Sequence, residues 1–139
     1  MSTPTFDALT IGDRLAEHVC GPITRTTLAL FAGGSGDHNP IHIDIDFAKS
    51  AGFQDVFAHG MLSMAYLAQM VAMWAPPHAL RALEVRYLAM TPVNSTIICS
   101  AEVVNKFEFN GERRVRLKIA AHLLDGLQTV AGEAVIALA

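Results

Sequence analysis

From Gly60 to Ala75 the chain reads GMLSMAYLAQMVAMWA, and no wide polar stripe runs through it. Ser63, Gln69 and the Tyr66 hydroxyl are its only polar side-chain groups. Ala, Met and Leu favour helix, and Pro76-Pro77 stop it. A helix that is apolar nearly all round must be buried on most sides. It falls short of the roughly 20 residues that cross a bilayer and lacks basic flanks. The pattern predicts a central helix wrapped by the rest of the chain.

Beyond Pro77 the hydrophobic period changes to two. In Ala82 to Met90, Leu83, Val85, Tyr87 and Ala89 alternate with Glu84 and Arg86, as in a half-exposed strand. From Thr96 to Phe109, Ile97, Cys99, Ala101, Val103, Phe107 and Phe109 fall on one face, with Ser100, Glu102, Lys106 and Glu108 on the other. Asn110-Gly111 is a strong hairpin signal, because both central positions of a type I′ turn need positive φ. Val115, Leu117, Ile119, Ala121 and Leu123 then alternate with Arg114, Arg116 and Lys118. Asp125-Gly126 makes a second hairpin, and Leu127 to Leu138 returns as the last strand. One long helix and an antiparallel meander with one apolar face define an α+β fold. Burying the face on the helix solves both exposure problems at once.

The first half is less periodic. Residues 1–12 read as an extended arm, with Gly12-Asp13 as a turn. Arg14 to Gly21 reads as a first strand with poor alternation. Thr24 is placed to cap a short helix, Arg25 to Ala32, with Ile23 stapled onto Leu28 and Gly33-Gly34 as its end. The polar loop SGDHNPIHIDID (Ser35 to Asp46) follows, bent by Asn39-Pro40. Phe47 to Ala51 adds a helical turn ended at Gly52, and the chain then reaches His59-Gly60.

At 139 residues the chain reads as a single domain, residues 1–139, long enough to bury a core. With 52% of residues hydrophobic and a net charge of −3, the composition argues against disorder and nucleic-acid binding has no electrostatic support. Cys20 and Cys99 have neither CxxC nor zinc spacing and read as reduced, buried residues. The N-terminal stretch has no basic start and no hydrophobic signal core, which predicts a cytoplasmic protein without membrane attachment.

The candidate chemistry lies in Asp37-His38-Asn39-Pro40-Ile41-His42. Across the Pro-restrained turn, Asp37 and His42 can converge on one water molecule. A carboxylate beside an imidazole can deprotonate that water and return a proton near neutral pH. The plainer alternative is that Asp37 closes an Asx turn and His42 is a strand histidine, and spacing alone leaves the two readings level. His38, His42, Asp44, Asp46 and His59 are dense in metal ligands, but no HExxH or paired-Cys spacing supports a metal site. Gly60 begins a buried helix, where free amides and the helix dipole can hold a carbonyl oxygen that gains charge. Without a Cβ it also allows close approach, although taken by itself the glycine is better explained as easing a tight helix entry. His59 caps or braces the helix start, and Ser63 lacks the GxSxG turn of a nucleophile. Met61, Met64, Met70 and Met73 read first as core, with room for some to line an acyl tunnel. Arg114, Arg116 and Lys118 form a basic stripe whose default reading is a solvated face.

The run FAGGSGDHNPIHIDIDFAKSAGF followed by AHGMLS resembles the MaoC-like (R)-specific enoyl-thioester hydratases and dehydratases. Phe31, Ala32, Ser35, Gly36, Asp37, Asn39, Pro40, His42 and Asp44 match the family motif, and the whole chain looks like that family from the IGD near the start to the TPV before the meander. The resemblance implies a single hot-dog fold, an antiparallel sheet curled around a long helix and paired into a dimer. It implies that Asp37 and His42 hold the catalytic water, that the Gly60 amide binds the thioester oxygen, and that His59 and Met61 border the substrate. The acyl group would be carried by coenzyme A or acyl-carrier protein, with no metal and no cofactor. Assembly would be a homodimer or a heterodimer with a second hot-dog subunit. One departure is Val93-Asn94-Ser95-Thr96, where many relatives have Val-x-x-Gly-Asp-Thr.

The implied reaction is reversible syn addition of water to a trans-2-enoyl thioester. A hot-dog thioesterase is the rival enzyme, disfavoured because residues 60–75 contain no Asp or Glu. A non-catalytic acyl-binding subunit is the rival from another class, disfavoured by retention of Asp37 and His42.

Overall fold

The computed structural model describes residues 3–139, so the first residues of the expected N-terminal arm lie outside the description. Five strands form one sheet: β1 (His18–Cys20), β2 (Leu80–Tyr87), β3 (Ile97–Phe109), β4 (Glu112–Leu123) and β5 (Gln128–Leu138). Their order is β1-β3-β4-β5-β2, and every neighbouring pair is antiparallel. The hairpin between β3 and β4 turns on Asn110 and Gly111 at φ 52° and 75°, as the Asn-Gly signal requires.

Helix α3 (Gly60–Trp74) lies across the sheet's apolar face, with Ala75 as its C-cap. Leu62, Leu67, Met70 and Val71 of α3 are buried in one cluster with Ile97, Cys99, Val103, Val115, Leu117, Ile119 and Ile136 of the sheet. A curled antiparallel sheet around one long helix is the hot-dog fold. The burial of α3 is less complete than its composition implied. Met61 and Met73 are 55% and 63% exposed, and Ala65, Gln69 and Ala72 are exposed with them. The sheet covers one side of the helix and leaves that apolar flank open.

A second difference lies in β3. The register slips between Val103 and Asn105, so one extra residue reverses the alternation beyond it. Phe107 stands opposite Arg114 on the outer face, and Lys106 stands opposite the buried Val115. The Arg114 and Arg116 guanidinium groups lie 4.8 and 5.7 Å from the Phe109 and Phe107 ring centroids. Lys106 instead donates to the Leu9 carbonyl at 2.6 Å and lies over the Phe6 ring. The expected basic stripe is largely neutralised: Arg114 pairs with Glu112 at 2.6 Å and Arg116 with Glu133 at 2.5 Å.

The N-terminal half also departs in detail. The first strand shrinks to His18–Cys20, and Arg14 makes only an isolated bridge to Glu102. Thr24 caps α1 (Arg25–Ser35) as its sequence suggests, accepting from the Thr27 amide at 3.1 Å, and Ile23 and Leu28 are both fully buried. Gly33-Gly34 does not end α1. The helix runs through the pair to Ser35 and stops at Gly36, in the left-handed region at φ 78°. Helix α2 (Ile45–Ser50) begins two residues early because Asp44 accepts from the amides of Asp46 and Phe47. Among the described residues, no helix is long and apolar enough to cross a membrane.

Candidate active site

The loop between α1 and α2 is held by its own polar side chains. The Asp37 carboxylate accepts from the Asn39 amide at 3.2 Å, and Asn39 accepts from the Ile41 amide at 3.1 Å. These two Asx turns lead into a tight 3-10 turn, Pro40–His42. Asp37 therefore does close an Asx turn, yet it remains exposed and borders a cavity. His42 is not a strand residue. It is 9% exposed, and its Nδ1–H donates to the Phe57 carbonyl at 2.7 Å. That bond fixes the tautomer and leaves Nε2 with a free lone pair.

His59 occupies the N-cap of α3, but its side chain makes no capping bond. It is 1% exposed, and like His42 it does not border that cavity. Its Nε2–H donates to the Asp37 carbonyl at 3.1 Å, and Nδ1 is buried without a partner. The Phe31 ring meets His59 edge-on at 4.9 Å. Burial is the largest influence on its pKa and pushes it down, aided by the neighbouring His42 and opposed by Asp37. Ligating atoms of Asp37, His42 and His59 lie within 4.8 Å of one another. Of the other ligand-type residues near them in sequence, Asp44 is engaged as the α2 cap.

The Gly60 end of α3 opens into a cavity of about 480 Å³ bordered by Asp37, Gly60, Met61, Ser63, Tyr87 and Met90. A second cavity, of about 410 Å³, is bordered by Phe31, Met64, Ala65, Ala68 and Leu83. Asp37 and Met61 border both. Tyr87, which no sequence motif singles out, lays its ring against Gly60. A Cβ on Gly60 would stand 2.9 Å from Tyr87 Cε1 and 3.0 Å from Cδ1. The divergent turn at Val93–Thr96 still forms. Asn94 takes φ 66°, and the backbone of Ile23 pairs with Asn94 and Ser95.

A hot-dog sheet with a carboxylate and an imidazole beside the N-terminus of its long helix defines the class. The family model described as "MaoC like domain" matches residues 8–122, and the chain belongs to that family. Over 94 residues it is 31% identical to enoyl-CoA hydratase 2, peroxisomal, of Arabidopsis thaliana, covering 66% of this chain and 30% of that enzyme. It is 28% identical over 103 residues to 3-hydroxyacyl-thioester dehydratase Z of Mycobacterium tuberculosis, covering 70% and 68%. Among solved structures it is similar to the unliganded R-hydratase PhaJ1 from Pseudomonas aeruginosa, with TM-score 0.84 and 31% identity over 96% of this chain and 84% of that one. The chain spans less than a third of the plant enzyme's length.

Proposed function

We propose that the protein catalyses the reversible (R)-specific hydration of trans-2-enoyl thioesters carried by coenzyme A or acyl-carrier protein. The observation that carries this reading is that ligating atoms of Asp37 and His42 lie within 4.8 Å of one another, with Asp37 bordering a cavity that also receives the N-terminus of α3.

A water held between the Asp37 carboxylate and His42 Nε2 loses a proton to this pair as its oxygen attacks C3. The same pair returns a proton to C2, so water adds to one face. His42 can accept at Nε2 because the Phe57 carbonyl holds the proton on Nδ1. Charge that develops on the thioester oxygen faces the Gly60 amide, which has no intrahelical partner at the positive end of the helix dipole. Such donors act where charge appears only in the transition state, and so raise kcat. Met61 borders the cavity between this point and the second, more apolar one, and would contact the acyl chain.

The working assembly in this reading is a dimer joined along β2, an edge strand of the sheet. Tyr87, Leu88 and Met90 beside that edge are half-exposed apolar residues that a partner sheet would cover. A fully active monomer in sedimentation would refute it. A cytoplasmic location fits the same reading. The function itself is tested by following loss of the enoyl-thioester absorbance with crotonyl-CoA and a longer homologue. Release of free CoA without hydration would favour a thioesterase and refute the proposal.

A further inference from the structure

Tyr87, the last residue of β2, is 50% exposed and borders the candidate site. Its ring rests on Gly60, so closely that no Cβ could stand between them without a shift. Ring and helix N-terminus are therefore in direct contact. The hydroxyl donates to Met61 Sδ at 3.0 Å and lies 3.8 Å from Met64 Sδ. A phenol is a good donor and a thioether a weak acceptor on a flexible side chain. A strong donor held by a weak, mobile acceptor, inside a cavity that also contains Asp37 and the Gly60 amide, is poised to exchange that acceptor for a better one.

We propose that the Tyr87 hydroxyl is a second hydrogen-bond donor to the thioester oxygen, acting beside the Gly60 amide. This rests on the hydratase reading of the site. On substrate binding the hydroxyl leaves the Met61 sulfur and turns to the carbonyl oxygen. As water adds at C3, that oxygen gains the electron pair from the conjugated system, and the hydrogen bond strengthens. No proton need leave the phenol, because the proton delivered to C2 comes from the added water. Its contribution is therefore largest in the transition state.

Tyr87→Phe tests this, because it deletes the hydroxyl and keeps the ring on Gly60. Removing an oxyanion donor should lower kcat by about 10²-fold, with kcat/KM falling in step and KM for crotonyl-CoA unchanged. The melting temperature should stay at the wild-type value, which separates the effect from a folding defect. A rise in KM with kcat intact would mean that the hydroxyl holds a remote part of the substrate and would overturn the assignment. Wild-type kcat in Tyr87→Phe would overturn it too, while leaving the hydratase reading standing. An inactive wild-type protein would sink the hydratase reading and this assignment with it.

Discussion

The imidazole rings of His42 and His59 stack with centroids 4.0 Å apart and planes 28° from parallel. One ring carries the free Nε2 of the candidate catalytic pair. The other is buried, donates to the Asp37 carbonyl, and is held below its ordinary pKa near 6.5, chiefly by burial. His59 thus joins both halves of the pair without touching the cavity.

The depressed His59 pKa has a consequence for stability. As pH falls through about 6.5, the unfolded chain takes up a proton at this histidine that the folded protein refuses. The contribution is fully present above that pH and is lost as pH falls toward the folded value. Asp37 and His42 are the titratable groups that face His59. Thermal midpoints should drop between pH 7 and 5, and His59→Phe should flatten that slope. An unchanged slope in the variant would show that His59 does not carry it.

Asp37 and His42 should fail together. Asp37→Asn keeps an acceptor for the Asn39 amide while removing the charge, and His42→Gln removes the imidazole base. Each should lower kcat by at least about 10²-fold, and the double variant should fall little further than the worse single. Asp37→Asn should melt near the wild type, because the side chain is exposed. His42→Gln should melt lower, because it gives up a buried ring that stacks on His59. Independent, multiplicative losses in kcat would show that the two residues do not share one water.

Gly60→Ala should destabilise the fold by about 1–3 kcal/mol, the usual cost of forcing a methyl group into a packed contact. If the Tyr87 ring is what demands glycine, the cost should nearly vanish on a Tyr87→Ala background. Denaturant titration of the four proteins closes this cycle. An equal cost on both backgrounds would place the constraint in the backbone of the helix entry instead.

The elements that could be read from sequence are those in which local pattern and tertiary demand agree. Apolar composition and Pro76-Pro77 marked α3 almost to the residue, and Asn110-Gly111 marked the β3–β4 hairpin. The orientation of Phe107 and Phe109 was hidden, because a bulge leaves no mark in the hydrophobic period yet reverses every side chain beyond it. Helix α1 runs through Gly33-Gly34 because the left-handed turn that ends it falls at Gly36. The Asp-His spacing gave the two halves of the candidate site, and the HG pair gave its position at the helix start. The connection through His59 was not legible, since it runs to a backbone carbonyl and a ring face distant in sequence. Tyr87 was hidden for the same reason. As a strand residue in an alternating pattern it looked like core, and only the close approach of β2 to α3 brings it onto Gly60.

The most direct measurement is the configuration of the product formed from crotonyl-CoA. The purified protein should consume the enoyl absorbance and yield (R)-3-hydroxybutyryl-CoA, resolved by chiral analysis after hydrolysis, and Asp37→Asn should reduce that product by about 10²-fold or more. The (S) product, or free CoA with no hydroxyacyl product, would contradict the account.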